Sequence, residues 1–436
     1  MISIAAIQRN KSRNINDMLS SFPSGAKRKQ ETQEAHCDNN TAISTYKALK
    51  LRSVQHPRSF GRTLIVPARS ILPRFKSPNS MVYQFVFPDS ELCTPFTVDF
   101  CHNIHEGHML AVGDEDGRIT LLRTDKNNNA DNADYHQSFY CHKHSIVDVK
   151  WSQDDTMLLT AATDRLVRLW DTEVQTSLAE FPGHEDAVKT VNWHPNNEHL
   201  IVTGSKDGSY RIWDTRYNQR SATNSTDSST IPVYNPIKVA PDAHNTSVPR
   251  GGRRTGPQPQ RIRSVTCAMF LKNDENKIVS SGSTDGTIKL WDIRQGRGPS
   301  MIASTTFATE SGITKGISDM KIDSLGQRLF SSCSDNSVYM HYLSDLSKPA
   351  LRYSDPDYKI NSFDIRISLS PDDRFLLSGS SDKNIFAWEV DHPNAKAQKF
   401  EGHSNKVTGV SWSKTSVFQF SSCSEDFNTR IWSFDY

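Results

Sequence analysis

One recurring pattern constrains the fold of this chain more than any other: an aspartate followed six residues later by an aromatic residue. This spacing joins Asp164 to Trp170, Asp207 to Trp213, Asp285 to Trp291, Asp382 to Trp388 and Asp426 to Trp432. Two further copies keep the aspartate but change the aromatic residue, with Leu122 following Asp116 and His341 following Asp335. Repetition of one such unit along a chain indicates a fold built from stacked supersecondary structures.

Each copy has the pattern of short β-strands joined by tight turns. Residues 158–171, LLTAATDRLVRLWD, alternate apolar and polar side chains on both sides of Asp164. Such alternation is typical of half-buried strands. A histidine stands near the start of three copies, at His144, His184 and His403, and the last two lie 23 residues before their aspartates.

This combination resembles the WD40 repeat, in which the histidine, a strand hydroxyl, the turn aspartate and the tryptophan indole hydrogen-bond to one another within a blade. The buried polar atoms of such a relay satisfy each other. Because one repeat cannot bury both faces of its sheet, several repeats must stack radially. We therefore predict an all-β fold, a seven-bladed WD40 β-propeller, in which His341 is a buried packing residue.

The expected domain boundaries follow from where the repeats begin and end. We predict that the propeller spans residues 80–436 and that residues 1–79 form a basic, largely disordered arm. The last repeat stops after its third strand, so a strand at residues 81–87 is expected to complete that blade and remove an open sheet edge. An insertion at 217–262 follows the third repeat. Its segment 231–239 is a candidate outer strand for that blade, and the remainder is expected to form a long loop.

The amino-terminal arm is strongly basic. Residues 1–80 hold 14 Lys and Arg against 4 Asp and Glu, whereas the formal net charge of the whole chain is only +2. This asymmetry indicates an acidic partner or an import signal. The candidate nuclear import signal is Lys27, Arg28 and Lys29, with a solvated charge run as the alternative. The candidate partner-binding helix is Ile15, Met18, Leu19 and Phe22, and the alternative is chance spacing in a disordered tail.

Sequence motifs of common enzymes do not occur. There is no Gly-x-Gly-x-x-Gly, P-loop, His-Glu-x-x-His or Gly-x-Ser-x-Gly motif, and one aspartate per repeat at a fixed spacing indicates a fold-building residue. His102, His105 and His108 have metal-like spacing, but no carboxylate pattern supports zinc binding, so a solvated loop is expected. We therefore expect no enzymatic activity, no cofactor and no metal. A membrane span is not expected either, because no apolar run approaches about 18 residues.

Two adjacent repeats end with the same motif, Trp-Asp-x-Arg. The third repeat ends in Trp213-Asp214-Thr215-Arg216, and the fourth ends in Trp291-Asp292-Ile293-Arg294. A planar guanidinium at one place in neighbouring blades suits bidentate contact with a partner carboxylate or backbone. A consecutive pair resembles the substrate receptors that dock on the adaptor of cullin-four RING ubiquitin ligases. The implied adaptor-binding residues are Trp213, Asp214, Arg216, Trp291, Asp292 and Arg294. The alternative is that both arginines only stabilise their own blades through internal ion pairs.

Three segments bring the resemblance closer to one family. AVGDEDGRITLLRT at 111–124, DAHNTS at 242–247 and SLSPDDRFLLSGSSD at 368–382 are similar to the denticleless family, over about residues 80–436. The resemblance implies a substrate receptor that directs replication-licensing and cell-cycle inhibitor proteins to proteasomal degradation while they are bound to the sliding clamp on DNA. It implies the nucleus as the main location, with the cytoplasm as a second one. The alternative function is a chromatin-associated WD-repeat scaffold without ligase activity, which would use its basic arm on DNA.

Strand direction predicts how the two faces of the propeller divide these contacts. Because strands alternate in direction, the third strand of each blade runs from the aspartate turn on one face to the Trp-Asp-x-Arg end on the other. Arg216 and Arg294 are therefore expected on the adaptor face, and the inter-blade loops, with the insertion, on the substrate face. Arg250, Arg253 and Arg254 in the insertion are candidate contacts to substrate or DNA phosphates, with a solubilising loop as the alternative.

Overall fold

The computed structural model describes residues 68–86, 91–126, 136–217, 219–220, 231–244, 264–294, 296, 298–305 and 315–435. These residues form seven sheets, here called blades 1 to 7, and strands a to d follow one another across each blade. The first strands of successive blades contact each other, and strand a of blade 7 contacts strand a of blade 1. The ring is therefore closed, with the a strands around a central channel, and the predicted seven-bladed propeller is confirmed.

The strand bounds are as follows. Blade 1 contains Pro95–Phe100, Met109–Asp114, Arg118–Arg123 and His136–Tyr140, and blade 2 contains Ile146–Trp151, Met157–Ala162, Val167–Asp171 and Ser177–Phe181. Blade 3 contains Val188–His194, Asn197–Ser205, Tyr210–Asp214 and Lys238–Ala240, and blade 4 contains Val265–Phe270, Lys277–Gly282, Ile288–Asp292 and Ser300–Ser304. Blade 5 contains Ile317–Ile322, Arg328–Cys333, Ser337–Tyr342 and Leu351–Tyr353. Blade 6 contains Ile367–Leu369, Phe375–Ser378, Ile385–Glu389 and Gln398–Phe400, and blade 7 contains Val407–Trp412, Gln419–Ser424 and Asn428–Phe434.

Blade 7 is completed by the amino-terminal side of the chain. Strand Val82–Gln84 pairs antiparallel with Asn428–Arg430, as expected from the missing fourth strand, and Phe87 lies outside the described residues. A second short strand, Phe75–Lys76, pairs with Ser433–Phe434. The propeller therefore begins before residue 80, and the boundary expected at 79/80 is wrong.

Short helical segments lie before, between and after these two strands. Among the described residues, the α-helix Ala68–Ile71 is followed by the 3-10 turns Leu72–Arg74 and Asn79–Met81, and a further turn, Ile104–Gly107, lies in blade 1. Within the described ranges, no helix is long and apolar enough to cross a membrane. The rest of the predicted arm, residues 1–67, lies outside the described residues.

The described parts of the insertion contribute to three blades. Lys238–Ala240 forms the outer strand of blade 3, so only residues 238 and 239 of the predicted strand 231–239 belong to it. Val233–Tyr234 instead pairs in parallel with Glu180 on the outer edge of blade 2, and Gln219–Arg220 pairs with it. His244, in the turn that follows, contacts Asp285 and Ser280 of blade 4. Residues 245–262 of the predicted long loop lie outside the described residues.

Four blades contain the complete buried relay. In each, histidine Nδ1 lies 2.9 Å from an aspartate oxygen, and histidine Nε2 and the tryptophan Nε1–H meet one strand hydroxyl. The relays are His142–Asp164–Thr160–Trp170, His184–Asp207–Thr203–Trp213, His244–Asp285–Ser280–Trp291 and His403–Asp426–Ser422–Trp432. The histidine of blade 2 is thus His142, and the sequence interpretation that pointed to exposed His144 is wrong.

The remaining blades replace parts of the relay with packing. In blade 6, Tyr358 takes the place of the histidine, and its hydroxyl lies 2.7 Å from Ser378 Oγ. In blade 5, His341 replaces the tryptophan and is fully buried, as predicted. In blade 1, Leu122 fills that position in the core. The relay therefore stabilises individual blades, and closure of the ring does not require it in every blade.

Candidate functional site

Arg216 lies two residues after the end of the third strand of blade 3 and is held by the aspartate of its own motif. Trp213 is fully buried by its relay, which fixes the end of the strand. Asp214 Oδ1 accepts from Arg216 N–H at 2.9 Å and from Nε at 3.0 Å, and Oδ2 accepts from Nη2 at 2.8 Å. The Arg216 side chain nevertheless remains 46% exposed. Its Cζ lies 5.5 Å from the Tyr217 ring centroid.

Arg294 repeats this arrangement in blade 4. Trp291 donates its indole N–H to Ser280 Oγ at 2.8 Å, and Asp292 follows it at the end of the strand. Arg294 Nε donates to Asp292 Oδ1 at 3.1 Å and Nη2 donates to Oδ2 at 2.6 Å, while the Arg294 side chain is 66% exposed. Two adjacent blades therefore present the same bidentate Arg–Asp pair on the same face.

Electrostatics keep both pairs ionised near neutral pH. Burial alone would raise the pKa of Asp214, but hydrogen bonds from the Arg216 side chain and N–H hold that pKa below its usual value. Hydrogen bonds from Arg294 lower the pKa of Asp292 to about 2. Each aspartate engages the Nε–Nη2 edge of its guanidinium. Because guanidinium has five N–H donors, the Nη1 side can still donate to a partner acceptor.

The other blades do not repeat this motif in the sequence. Blade 1 carries the reverse order, with Arg123 donating from Nε and Nη2 to Asp125 at 3.1 and 2.7 Å. Blade 2 has Asp171 and Glu173 at the equivalent positions, and Asp171 accepts the Glu173 backbone N–H. The internal ion pair considered as an alternative does form, and the side chains of the two arginines remain 46% and 66% exposed to solvent. We call the face that carries Arg216, Arg294 and the a–b and c–d turns the arginine face.

The remaining sequence candidates fall into two groups. Lys27, Arg28 and Lys29, the helix candidate Ile15, Met18, Leu19 and Phe22, and the insertion residues Arg250, Arg253 and Arg254 lie outside the described residues. Among the histidines proposed to form a solvated loop, His102 Nδ1 is 3.1 Å from Asp155 and His108 Nδ1 is 3.3 Å from Gln419. No group of potential metal ligands occurs among the residues that the structure describes.

The described ends of the insertion indicate which face its central part leaves from. His244 precedes that part and contacts Asp285, in the turn before the third strand of blade 4, and Ser264 follows it directly before the first strand. Arg294 lies beyond the other end of that third strand. His244 and Ser264, the described residues that flank segment 245–263, therefore both lie on the face opposite the arginine face.

Comparisons with known proteins agree with the repeat structure. The WD domain, G-beta repeat family matches residues 134–171, 175–214, 256–292, 351–389 and 395–433. These matches cover the blades whose third strand carries tryptophan, and blades 1 and 5, with Leu122 and His341, are not matched as repeats. Four matches run from the outer strand of one blade through the third strand of the next. This offset explains why the last blade takes its outer strands from the start of the fold.

Curated relatives decide the family. The chain is 29% identical to a denticleless protein homolog of Danio rerio over 383 residues, 85% of this chain and 56% of that relative. It is 31% identical to a denticleless protein homolog of Mus musculus over 353 residues, 78% of this chain and 46% of the relative. The chain belongs to the denticleless family. Protein lethal(2)denticleless of Drosophila melanogaster is 29% identical over 353 residues, covering 77% of this chain and 44% of the relative. This member of the denticleless family spans about half the length of the curated relatives it matches.

Proposed function

We propose that this chain is the substrate-recognition subunit of a cullin-four RING ubiquitin ligase and that Arg216 and Arg294 bind the ligase adaptor. One observation carries the proposal. Neighbouring blades each hold an arginine bidentately on its own aspartate, with the arginine side chains 46% and 66% exposed. The resemblance to receptors with consecutive Trp-Asp-x-Arg motifs supplies the identity of the partner.

Preorganisation explains why such a pair suits docking. An arginine that is free in solution loses rotamer entropy when it binds, whereas the internal bond to aspartate has already fixed Arg216 and Arg294. A partner carboxylate or carbonyl then needs only to accept a hydrogen bond from Nη1 of each guanidinium. Two such donors on adjacent blades define both the position and the orientation of the adaptor.

On the opposite face, the proposed substrates are replication-licensing and cell-cycle inhibitor proteins bound to the sliding clamp on DNA. Arg250, Arg253 and Arg254 remain the candidate contacts to substrate or DNA phosphates there. The chemistry of ubiquitin transfer belongs to other subunits of the ligase, and this chain acts by binding. The proposed location is the nucleus, with the cytoplasm as a second one.

The test is a double substitution, Arg216→Ala with Arg294→Ala, in the full chain. Truncating partly desolvated charged contacts costs at least about 2 kcal/mol, so affinity for the purified adaptor, measured by calorimetry, should fall by about 30-fold or more. Arg123→Ala is the matched control, since it removes an arginine with the same bidentate geometry on blade 1. The control should bind the adaptor like the wild type, and all variants should keep the same far-ultraviolet circular dichroism.

A folded double variant that still binds the adaptor with wild-type affinity would remove the support for docking through these arginines. If the wild-type chain binds no adaptor but associates with DNA, the chromatin-associated scaffold becomes the better description. The two outcomes are distinct because the first concerns the variant and the second concerns the wild type.

A further inference from the structure

A cavity of about 530 Å³ opens on the arginine face beside the central channel. Residues in or next to the a–b turns of blades 1, 2, 3 and 7 form its walls, and its lining includes His102, Lys150, Trp193, His199 and Lys414. The cavity combines two ammonium groups with an indole wall, and Glu198, whose side chain is 61% exposed and lies 3.9 Å from His199, also lines it. We call it the channel-mouth cavity.

Each lysine of the channel-mouth cavity is bound to a carboxylate but does not use all its N–H donors for that contact. Lys414 Nζ donates to Asp99 Oδ2 at 3.0 Å, and Lys150 Nζ donates to Asp148 Oδ1 at 2.7 Å. Asp99 also accepts the backbone N–H of Trp151, and Asp148 accepts that of Val191. Each carboxylate therefore has a hydrogen-bond donor besides its lysine. The lysine side chains remain 28% and 21% exposed. Lys150 Nζ also donates to Val149 O at 3.0 Å. Because an ammonium has three N–H donors, one N–H of Lys150 and two of Lys414 are left for a ligand oxygen.

The cavity is continuous with the Arg216 motif through His199. His199 lines the cavity, and its Nδ1 lies 3.0 Å from Thr215 Oγ1. Thr215 is the variable residue of Trp213-Asp214-Thr215-Arg216. A protein that contacts Arg216 therefore has the cavity mouth directly beside it.

We propose that the channel-mouth cavity receives an aspartate or glutamate side chain of the adaptor that docks on Arg216 and Arg294, and that Lys150 and Lys414 bind its carboxylate. This inference rests on the proposed function. A charge-assisted bond from ammonium to carboxylate is roughly twice as strong as a neutral hydrogen bond, and the Trp193 wall provides an apolar surface for the methylene groups. The cavity thus adds a third contact, near the centre of the ring, to the two arginines at its rim.

The test replaces Lys414 with glutamine and measures adaptor affinity by calorimetry at low and physiological salt. Lys414→Gln should weaken binding by about tenfold and reduce its salt dependence, because one screened charge contact is lost. Lys414→Arg, which keeps the charge, should retain most of the affinity. The matched control is Lys406→Gln in the same blade on the opposite face, where Lys406 pairs with Glu425 at 2.5 Å and is 19% exposed. The control should bind like the wild type.

A second variant protects the test against loss of folding at Lys414. The His199 side chain is 44% exposed, so His199→Glu should fold, and its carboxylate should repel the incoming acidic group and weaken binding comparably. His199→Gln, which adds no charge, should bind nearly like the wild type. Unchanged affinity in both Lys414→Gln and His199→Glu, with loss of binding in the double arginine variant, would overturn the cavity proposal and leave the proposed function standing. A wild-type chain that binds no adaptor would overturn both.

Discussion

At the scale of single residues, burial decides how the histidines of this propeller behave. Loss of water lowers the pKa of His142, His184 and His244, although the partner aspartates act in the opposite direction. These histidines are therefore neutral in the folded state and serve as hydrogen-bonding links. Burial also lowers the pKa of His341, which stands in place of the tryptophan in blade 5, to about 4. Its chemistry in blade 5 is that of a packing residue.

The acid sensitivity of His341 gives a prediction. Its folded pKa of about 4 lies below the unfolded value of 6.5, so its contribution to stability is complete above pH 6.5 and is lost as the pH falls through 4. By proton linkage, the unfolding free energy that is lost at pH 5 is about 2 kcal/mol. When the pH is lowered from 7.5 to 5, the unfolding free energy of the wild type should therefore fall by about 2 kcal/mol more than that of His341→Phe. Denaturant titrations at both pH values measure this, and parallel pH profiles would contradict it.

Single residues also show how much of the site the sequence could predict. The Trp-Asp-x-Arg spacing identified Arg216 and Arg294, because a motif fixed at a strand end fixes its place on a face. It could not show that each aspartate binds its arginine at two points, since that depends on turn geometry after Asp214 and Asp292. His142 was missed because His144 stands closer to the following strand. The spacing of 23 residues in two other repeats would have favoured the neighbourhood of 142.

At the scale of elements, the outer edge of blade 7 shows where sequence patterns fail. The alternation within the repeats predicts their longer strands well. Phe75–Lys76 and Val233–Tyr234 are only two residues long, and two residues have no periodicity to detect. Both elements are defined by pairing with strands far away in sequence, which is a tertiary property. The arm boundary and the insertion were therefore the parts of the fold that the sequence described least well.

Phe75 allows the importance of this closing element to be measured. Its side chain is 4% exposed, and its ring lies between 5.2 and 6.2 Å from the rings of Phe400, Trp412, Phe420 and Phe434. Phe75→Ala should lower the free energy of unfolding by about 3–5 kcal/mol, because the cavity left in blade 7 cannot collapse fully. Urea denaturation is the measurement. Phe363→Ala, which removes a ring that is 38% exposed, is the control and should cost much less. If Phe75→Ala lowered the free energy of unfolding as little as the Phe363→Ala control, residues before 80 would not be part of the folded unit.

At the scale of the whole molecule, side chains on the innermost strands link the blades into a ring. In six of the seven steps around the ring, a side chain on one a strand is hydrogen-bonded to the backbone of the next a strand. The side chains are Asp99, Asp148, Asn192, Asp319, Ser368 and Ser411. In the step from blade 4 to blade 5, Cys267 Sγ lies 3.9 Å from Met320 O, a weaker contact. Removing one blade would therefore disturb both neighbours, which favours cooperative unfolding of the entire ring.

Arg366 adds a link across the channel. Its Nη2 donates to Lys189 O of blade 3 at 2.6 Å, and its Nη1 lies 3.5 Å from Asp319 of blade 5. Burial alone would lower the pKa of Arg366, but the charges of Asp148 and Asp319 hold it above the usual value. One side chain of blade 6 thus neutralises buried carboxylates of two other blades. We expect this charge to stabilise the whole ring.

Arg366→Met should lower the free energy of unfolding by about 3 kcal/mol, since it removes one cation of a buried ion-pair cluster and leaves Asp319 to its other partner, Lys321, 3.1 Å away. Adding Asp319→Asn should restore part of that loss, because it removes the carboxylate that Arg366 neutralised while an amide oxygen can still accept the Ile367 N–H. A double-mutant cycle in urea isolates the coupling between the two positions. Because the ring links all blades, the weakened protein should still unfold in one transition by both tryptophan fluorescence and circular dichroism. A loss below about 1 kcal/mol, or an additive cycle, would show that Arg366 stabilises only its own blade.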